Sequence, residues 1–249
     1  MSASGKPPVV AEDERRKTLR FDSRYLQSAM YKHAPFDLAL SYSRAVMGFL
    51  LLQPAPRHIL IVGLGGGSLS KYCYRYLPDA SVTTVEVDGN IIALRDQFAI
   101  PLDDERFRII HADGAEFIEE SPGEHFDVIV LDGYGPEGLP EQLSSQAFYD
   151  RCAAAVRADG VVVANFVESD GRRGLYWSRL RTAFDDQVIG IPADRGSNRI
   201  AYALKSERWP PRRTLHERAV DLEAGHTINF RNLAGRLLSA LEAEPSAIE

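Results

Sequence analysis

His58-Ile59-Leu60-Ile61-Val62, followed by Gly63-Leu64-Gly65-Gly66-Gly67-Ser68, is the stretch on which the fold turns. The first five residues are a nearly continuous apolar run, the pattern of a strand buried on both faces of a parallel sheet. The glycines that follow permit positive φ and bring the backbone close to a ligand. Ser68–Leu77 then reads as a helix, whose first N–H groups lack partners within it. Taken alone, such a loop is also compatible with a tight strand–helix turn that binds nothing. Outward from it the alternation continues. Ser81–Val87 is a β-branched strand, Ile91–Phe98 a helix, Phe107–His111 a strand, Ala115–Glu119 a short helix and Phe126–Leu131 a strand. Gln146–Val156 is a helix capped by Ser144 or Ser145, Gly160–Asn165 a strand and Leu175–Phe184 a helix. Gln187–Ile191 and Ile200–Lys205 are two last strands with no helix between them, so they are expected to pair antiparallel. This rhythm predicts an α/β fold, a doubly wound Rossmann-like sheet covered on both faces.

The flanks are simpler. Residues 1–17 read as a disordered tail of small residues, prolines and mixed charges. Residues 18–56 form an N-terminal β/helical addition, with strands or a hairpin in Thr18–Met30 and a helix over Ala39–Leu52 that Pro54 and Pro56 end. The Rossmann-like domain spans 57–206. Pro210 and Pro211 open a C-terminal extension over 207–249, with helices at Leu215–Leu222 and Leu233–Leu241.

A chain of 249 residues, 45% apolar and 26% charged, builds its own core. A net charge of −6 argues against a nucleic-acid partner held through phosphates. Cys73 and Cys152 are the only cysteines, which argues against a disulfide framework or a metal site. No apolar run approaches the roughly 20 residues of a membrane span. Met1–Val10 lacks the apolar stretch of a secretion signal, so a cytoplasmic protein is expected.

Three acids give the glycine loop a chemical meaning. Glu86 ends the second strand about 20 residues beyond the loop, where a carboxylate accepts from ribose hydroxyls. Asp113-Gly114 follows the third strand, placed for an adenine amino group and ring nitrogen. Asp132 ends the fourth. The dinucleotide pattern requires Gly or Ala at position 68, where Ser68 stands. Gly63, Gly65 and Gly67 instead give the G-x-G-x-G form found in users of S-adenosylmethionine.

From Arg57 to Lys205 the chain resembles the spermidine synthase family of polyamine aminopropyltransferases. The matching segments are Ile59–Lys71, Thr84–Asp88, Asp113–Phe117 and Phe126–Tyr149, ending in Leu143-Ser144-Ser145-Gln146-Ala147-Phe148-Tyr149. A weaker match reaches back to Gln27 and Tyr42. The resemblance implies a class I methyltransferase-like domain after a small β domain, often dimeric, with no metal. It implies S-adenosylmethionine or its decarboxylated form as co-substrate, and a small-molecule amine as acceptor. Gln27, Gly63, Gly65, Gly67, Glu86, Asp113 and Gly114 would hold the nucleoside. Asp132 would be catalytic, with Tyr42 and Tyr134 near the acceptor. An ordinary S-adenosylmethionine-dependent methyltransferase and a non-catalytic nucleoside-binding homologue are the competing readings.

The acceptor half departs from the family pattern. The family loop G-G-G-D-G-G places an Asp at Gly66, and the family's Asp-Ser-x-Asp-Pro places one at Gly135. Arg44 stands in Tyr42-Ser43-Arg44, where the family has an acid. Asp194-Arg195-Gly196-Ser197-Asn198 lacks a family tyrosine. Glu137, Glu141 and Glu168 are the nearby acids that could substitute, although each would ordinarily be a solvated surface group.

Overall fold

The structure, a computed structural model, describes residues 8–21, 26–135, 137–194 and 198–243. Residues 1–7 of the expected tail, Pro136, and Arg195, Gly196 and Ser197 lie outside the described residues. The chain begins with an antiparallel sheet of β1 (Val9–Glu12), β2 (Arg16–Arg20) and β3 (Leu26–Tyr31), in that order. This corrects the expectation of a tail running to Lys17. Val9 pairs with Arg20 and Glu12 with Lys17. Asp13 closes the turn by accepting from Arg15 N and Arg16 N at 2.7 Å each. The charges that read as a solvating run are cross-strand pairs, with Glu12 bridging Lys17 and Lys32.

Two short helices follow, α1 (Ser41–Val46) and α2 (Phe49–Leu52), where the spacing predicts one. The break falls at Met47-Gly48. There the Tyr202 hydroxyl donates to Ala45 O and leaves no room for a Cβ on Gly48.

The α/β alternation is β4 (His58–Val62), α3 (Ser68–Tyr76), β5 (Ser81–Glu86), α4 (Gly89–Ile92), β6 (Phe107–His111), α5 (Gly114–Glu120), β7 (Phe126–Leu131), α6 (Gln146–Ala155), β8 (Val156–Val167), α7 (Arg173–Ala183), β9 (Val188–Pro192) and β10 (Asn198–Leu204). The helix expected over Ile91–Phe98 is the single turn of α4 followed by a 3₁₀ turn at Asp96–Phe98. Ser145 is the cap of α6, its hydroxyl accepting from Phe148 N. Strand order is β6-β5-β4-β7-β8-β10-β9, and β10 runs antiparallel to both its neighbours. The last hairpin is antiparallel as its short connection requires, and its second strand is inserted beside β8.

Two helices, α8 (Arg212–Glu223) and α9 (Phe230–Ala243), close the chain. They share one core with α1–α3: Leu215, Phe230 and Leu237 are fully buried in the same cluster as Leu50, Ile59, Ile61 and Tyr72. The opposite face of the sheet holds Leu60, Val62, Ile129 and Val162 against α5, α6 and α7. Alternate residues of β4 thus feed both cores, which is why the strand reads as a continuous apolar run.

Candidate active site

The glycine loop connects β4 to α3. Gly63 has φ +100°, and a side chain there would collide with Asp132 O, because the loop lies against the end of β7. Gly67, at φ +66°, is the residue before α3, and a Cβ would meet Ile100 at 2.6 Å. The loop therefore tolerates only backbone on the sides that face its neighbours.

Parallel pairing brings the ends of β4, β5, β6 and β7 to one edge of the sheet. Glu86 ends β5 and ties two segments together: Oε2 accepts from Leu64 N at 2.8 Å and Oε1 from Asp88 N at 2.9 Å. Burial pushes its carboxyl above the ordinary value, opposed by those N–H donors. Asp113, at the end of β6, caps α5 by accepting from Ala115 N at 2.7 Å. Gly114 opens that helix against Val62, with no space for a side chain.

Asp132 lies just past β7 and is held by two side-chain donors. The Tyr42 hydroxyl donates to Oδ2 at 3.1 Å, and Asn165 Nδ2 donates to Oδ1 at 2.7 Å. Burial raises its carboxyl to about 6, while the two donors act in the opposite direction. The same burial, with Asp132 beside it, drives the Tyr42 phenol far above its usual range, so it is a donor at every working pH. Asn165 is 5% exposed and its Oδ1 accepts from Asn198 Nδ2 at 2.9 Å. Neither asparagine is singled out by the sequence, where an Asn near a strand end has no distinguishing pattern.

Other candidates fall differently. The Ser28 side chain, next to Gln27, meets the glycine loop. Its hydroxyl pairs with Ser68 Oγ at 3.2 Å and lies 2.6 Å from where a Cβ on Gly66 would stand. Gln27 falls at the register shift of β3, where Leu19 faces Ser28 and Arg20 faces Leu26. The Tyr134 hydroxyl accepts from Val167 N at 3.1 Å, which anchors the loop after β7. Arg44 donates to Leu38 O at 2.7 Å. Glu137, Glu141 and Glu168 are exposed. His111 contacts Val87 O, and Trp177 is half-buried against Gly190.

The spermine/spermidine synthase domain matches residues 39–169, which include the glycine loop, Glu86, Asp113 and Asp132. The polyamine aminopropyltransferase of Neisseria meningitidis serogroup A is 36% identical over 246 residues, 96% of this chain and 91% of that protein. The chain belongs to the spermine/spermidine synthase family. A probable spermidine synthase from Corynebacterium glutamicum superposes with a TM-score of 0.71 at 17% identity, covering 91% of this chain and 90% of that one, a likeness of fold. Human methyltransferase-like protein 13, solved in complex with SAH, superposes with a TM-score of 0.64 at 25% identity, covering 76% of this chain and 90% of that one. The family assignment agrees with a seven-stranded methyltransferase-like sheet preceded by a small β sheet. Among the described residues no helix is long and apolar enough to cross a membrane.

Proposed function

We propose that the protein is an aminopropyltransferase that takes decarboxylated S-adenosylmethionine as co-substrate and a small diamine as acceptor. The observation that carries this reading is the Asp132 carboxylate, held by Tyr42 and Asn165 beside the glycine loop. A relative of nearly the same length is a polyamine aminopropyltransferase. The nucleoside half fits: Gly63, Gly65 and Gly67 keep side chains off the loop, and Glu86 and Asp113 stand at neighbouring strand ends. Glu86 would hold the ribose, and Asp113 with Gly114 the adenine.

The chemistry suits Asp132. A primary amine has a free pKa near 10, so it must lose a proton before it attacks. With its own pKa near 6, Asp132 is ionised at neutral pH and can orient the ammonium group. The amine nitrogen bonds to the carbon next to the sulfonium, the carbon–sulfur bond breaks, and a neutral thioether leaves. The proton passes through Asp132 to water. The negative charge also favours the cationic sulfonium.

A second feature bears on the cofactor. The resemblance assigns the position of Gly66 an Asp that recognises the aminopropyl amine, and Ser28 and Phe98 fill the space a side chain would need there. With that acid gone, repulsion of the carboxylate of ordinary S-adenosylmethionine is weaker, so the two forms should be poorly discriminated. Calorimetric titration with both forms and with methylthioadenosine, followed by a putrescine turnover assay, tests the reading. No turnover of any diamine with the decarboxylated form would overturn it. The family's frequent dimerisation leads us to propose a homodimer, which sedimentation of the purified chain checks.

A further inference from the structure

Asn198 lies on the strand hairpin that follows the site and reaches Asp132 only through Asn165. In the β8–β10 pairing Asn198 is opposite Val167 and Ile200 is opposite Asn165, so the two asparagines are diagonal neighbours on one face. Asn198 Nδ2 donates to Asn165 Oδ1 at 2.9 Å, and Asn165 Nδ2 donates to Asp132 Oδ1 at 2.7 Å. A carboxamide carries its donor and its acceptor on opposite sides. Once Asn198 donates to the oxygen, the nitrogen must face Asp132. If the amide turned over, its oxygen would face the carboxylate, an arrangement that works only when Asp132 carries a proton.

We propose that Asn198 is a positioning residue: by donating to the Asn165 oxygen it favours the amide orientation that gives Asp132 an N–H donor, and so supports the charged, proton-accepting form of Asp132. This rests on the assignment of Asp132 to the reaction, although the orientation itself does not. Among the described residues, the groups facing Asp132 are few. Tyr42 on α1 donates to its other oxygen, and Tyr134 lies on its own loop with its hydroxyl on Val167 N. The glycine loop presents backbone. Arg199, next to Asn198, is turned to Gly190 O and the Trp177 ring. The effects acting on the Asp132 carboxyl are burial, which raises it, and the donors Asn165 and Tyr42, which lower it.

The test is a ¹³C NMR titration of the carboxyl carbons of aspartate-labelled protein, with the Asp132 signal assigned by Asp132→Asn. Asn198→Leu keeps the side-chain size and removes the donor. Its Asp132 titration should move up by about half a pH unit, and that of Asn165→Leu by about one, the scale of a hydrogen bond to a charged group. Asn198→Gln restores a donor and should return the titration toward that of the native protein. Combining the two leucine substitutions should add nothing to Asn165→Leu alone, because Asn198 acts through Asn165. In turnover, the acidic limb of kcat/KM should move with the titration, which a loss of packing would not cause. If Asn198→Leu fails to fold, Asn198→Ala removes the same donor and reads the same effect. An unmoved Asp132 titration in a folded Asn198 variant that lacks the side-chain donor, or additive shifts in the double variant, would overturn the proposal. A native protein that turns over no diamine would overturn the proposed function, and the NMR titration would still decide the role of Asn198.

Discussion

Asp132 illustrates how a site residue trades stability for chemistry. Its folded pKa of about 6 lies above the ordinary value of 3.8. A carboxyl raised on folding contributes stability below pH 3.8, and that contribution is lost as pH rises through 6. Asp132→Asn should therefore be as stable as the native protein near pH 4 and more stable at pH 8, by about 1–3 kcal/mol. Thermal melts at the two pH values check this. The same substitution should reduce turnover by roughly 10²–10⁴-fold, the scale of a lost proton acceptor. In the native enzyme kcat/KM should fall as pH drops below about 6, where the carboxylate is lost. Glu86 is the counterpart in the nucleoside half. Glu86→Ala should weaken methylthioadenosine binding by roughly 1.5–3 kcal/mol, measured by calorimetry. It also removes an acceptor from Leu64 N and Asp88 N, so a melt must accompany it to separate a lost ligand contact from a loosened loop.

At the level of elements, the glycine loop and the strand above it have to be changed together. Gly66→Asp alone would place a Cβ 2.6 Å from Ser28 Oγ and 2.9 Å from Phe98 Cδ1. The single variant should lose stability, by about 1–3 kcal/mol for overpacking, before any gain in cofactor preference can show. Pairing it with Ser28→Gly relieves the closer contact. The double variant should prefer decarboxylated over ordinary S-adenosylmethionine more strongly than the native protein does, as calorimetry would show. Gly135, the other position where the family carries an acid, has open space, its nearest neighbour being Gly138 O at 3.9 Å. The loop after β7 is held at three points. Tyr134 accepts from Val167 N, Arg172 donates to Leu139 O at 3.0 Å, and Gly135 bridges Gly138. Arg172→Ala removes one of these, so amide exchange in residues 137–142 should speed up in the free protein and slow on nucleoside binding. Equal exchange with and without the nucleoside would show that the loop does not close over the site.

Across the whole molecule, the C-terminal helices are part of the main core. Arg218 on α8 donates to Leu51 O and Leu52 O, carbonyls at the end of α2 that have no helical partner. Phe230, at the start of α9, is fully buried, and its ring meets His226 edge-on. Phe230→Ala should cost about 3–5 kcal/mol, and the unfolding midpoint should fall by several degrees in a single transition. A separate second transition would show the helices to be an independent unit. The strands β4 to β8 were legible in the sequence, β4 and β7 as apolar runs and β5 as a β-branched segment, through their alternation with helical segments. The hairpin of β9 and β10 was legible because no crossover helix separates them. β1 was not. Four residues, Val9–Glu12, carry no periodicity, and they become a strand only because Asp13 folds them back on β2. The division of the first helix was hidden too, since its cause is Tyr202, more than 150 residues away along the chain.

The sequence by itself determined the parallel sheet, the glycine loop and the set of acids at the strand ends. Those features depend on local pattern: burial of whole strands, glycines where backbone must approach backbone, and carboxylates at positions fixed by strand length. The tertiary structure alone decided what surrounds the acids. Tyr42, Asn165 and Asn198 are 33 to 90 residues from the groups they bond, and the packing of α1 and the pairing of β8 with β7 on one side and β10 on the other bring them together. Ser28 reaches Gly66 in the same way, across the contact between β3 and the loop. A side chain's hydrogen-bond partner is a property of distance in space, and a residue type such as asparagine fits too many settings for its sequence neighbours to specify one.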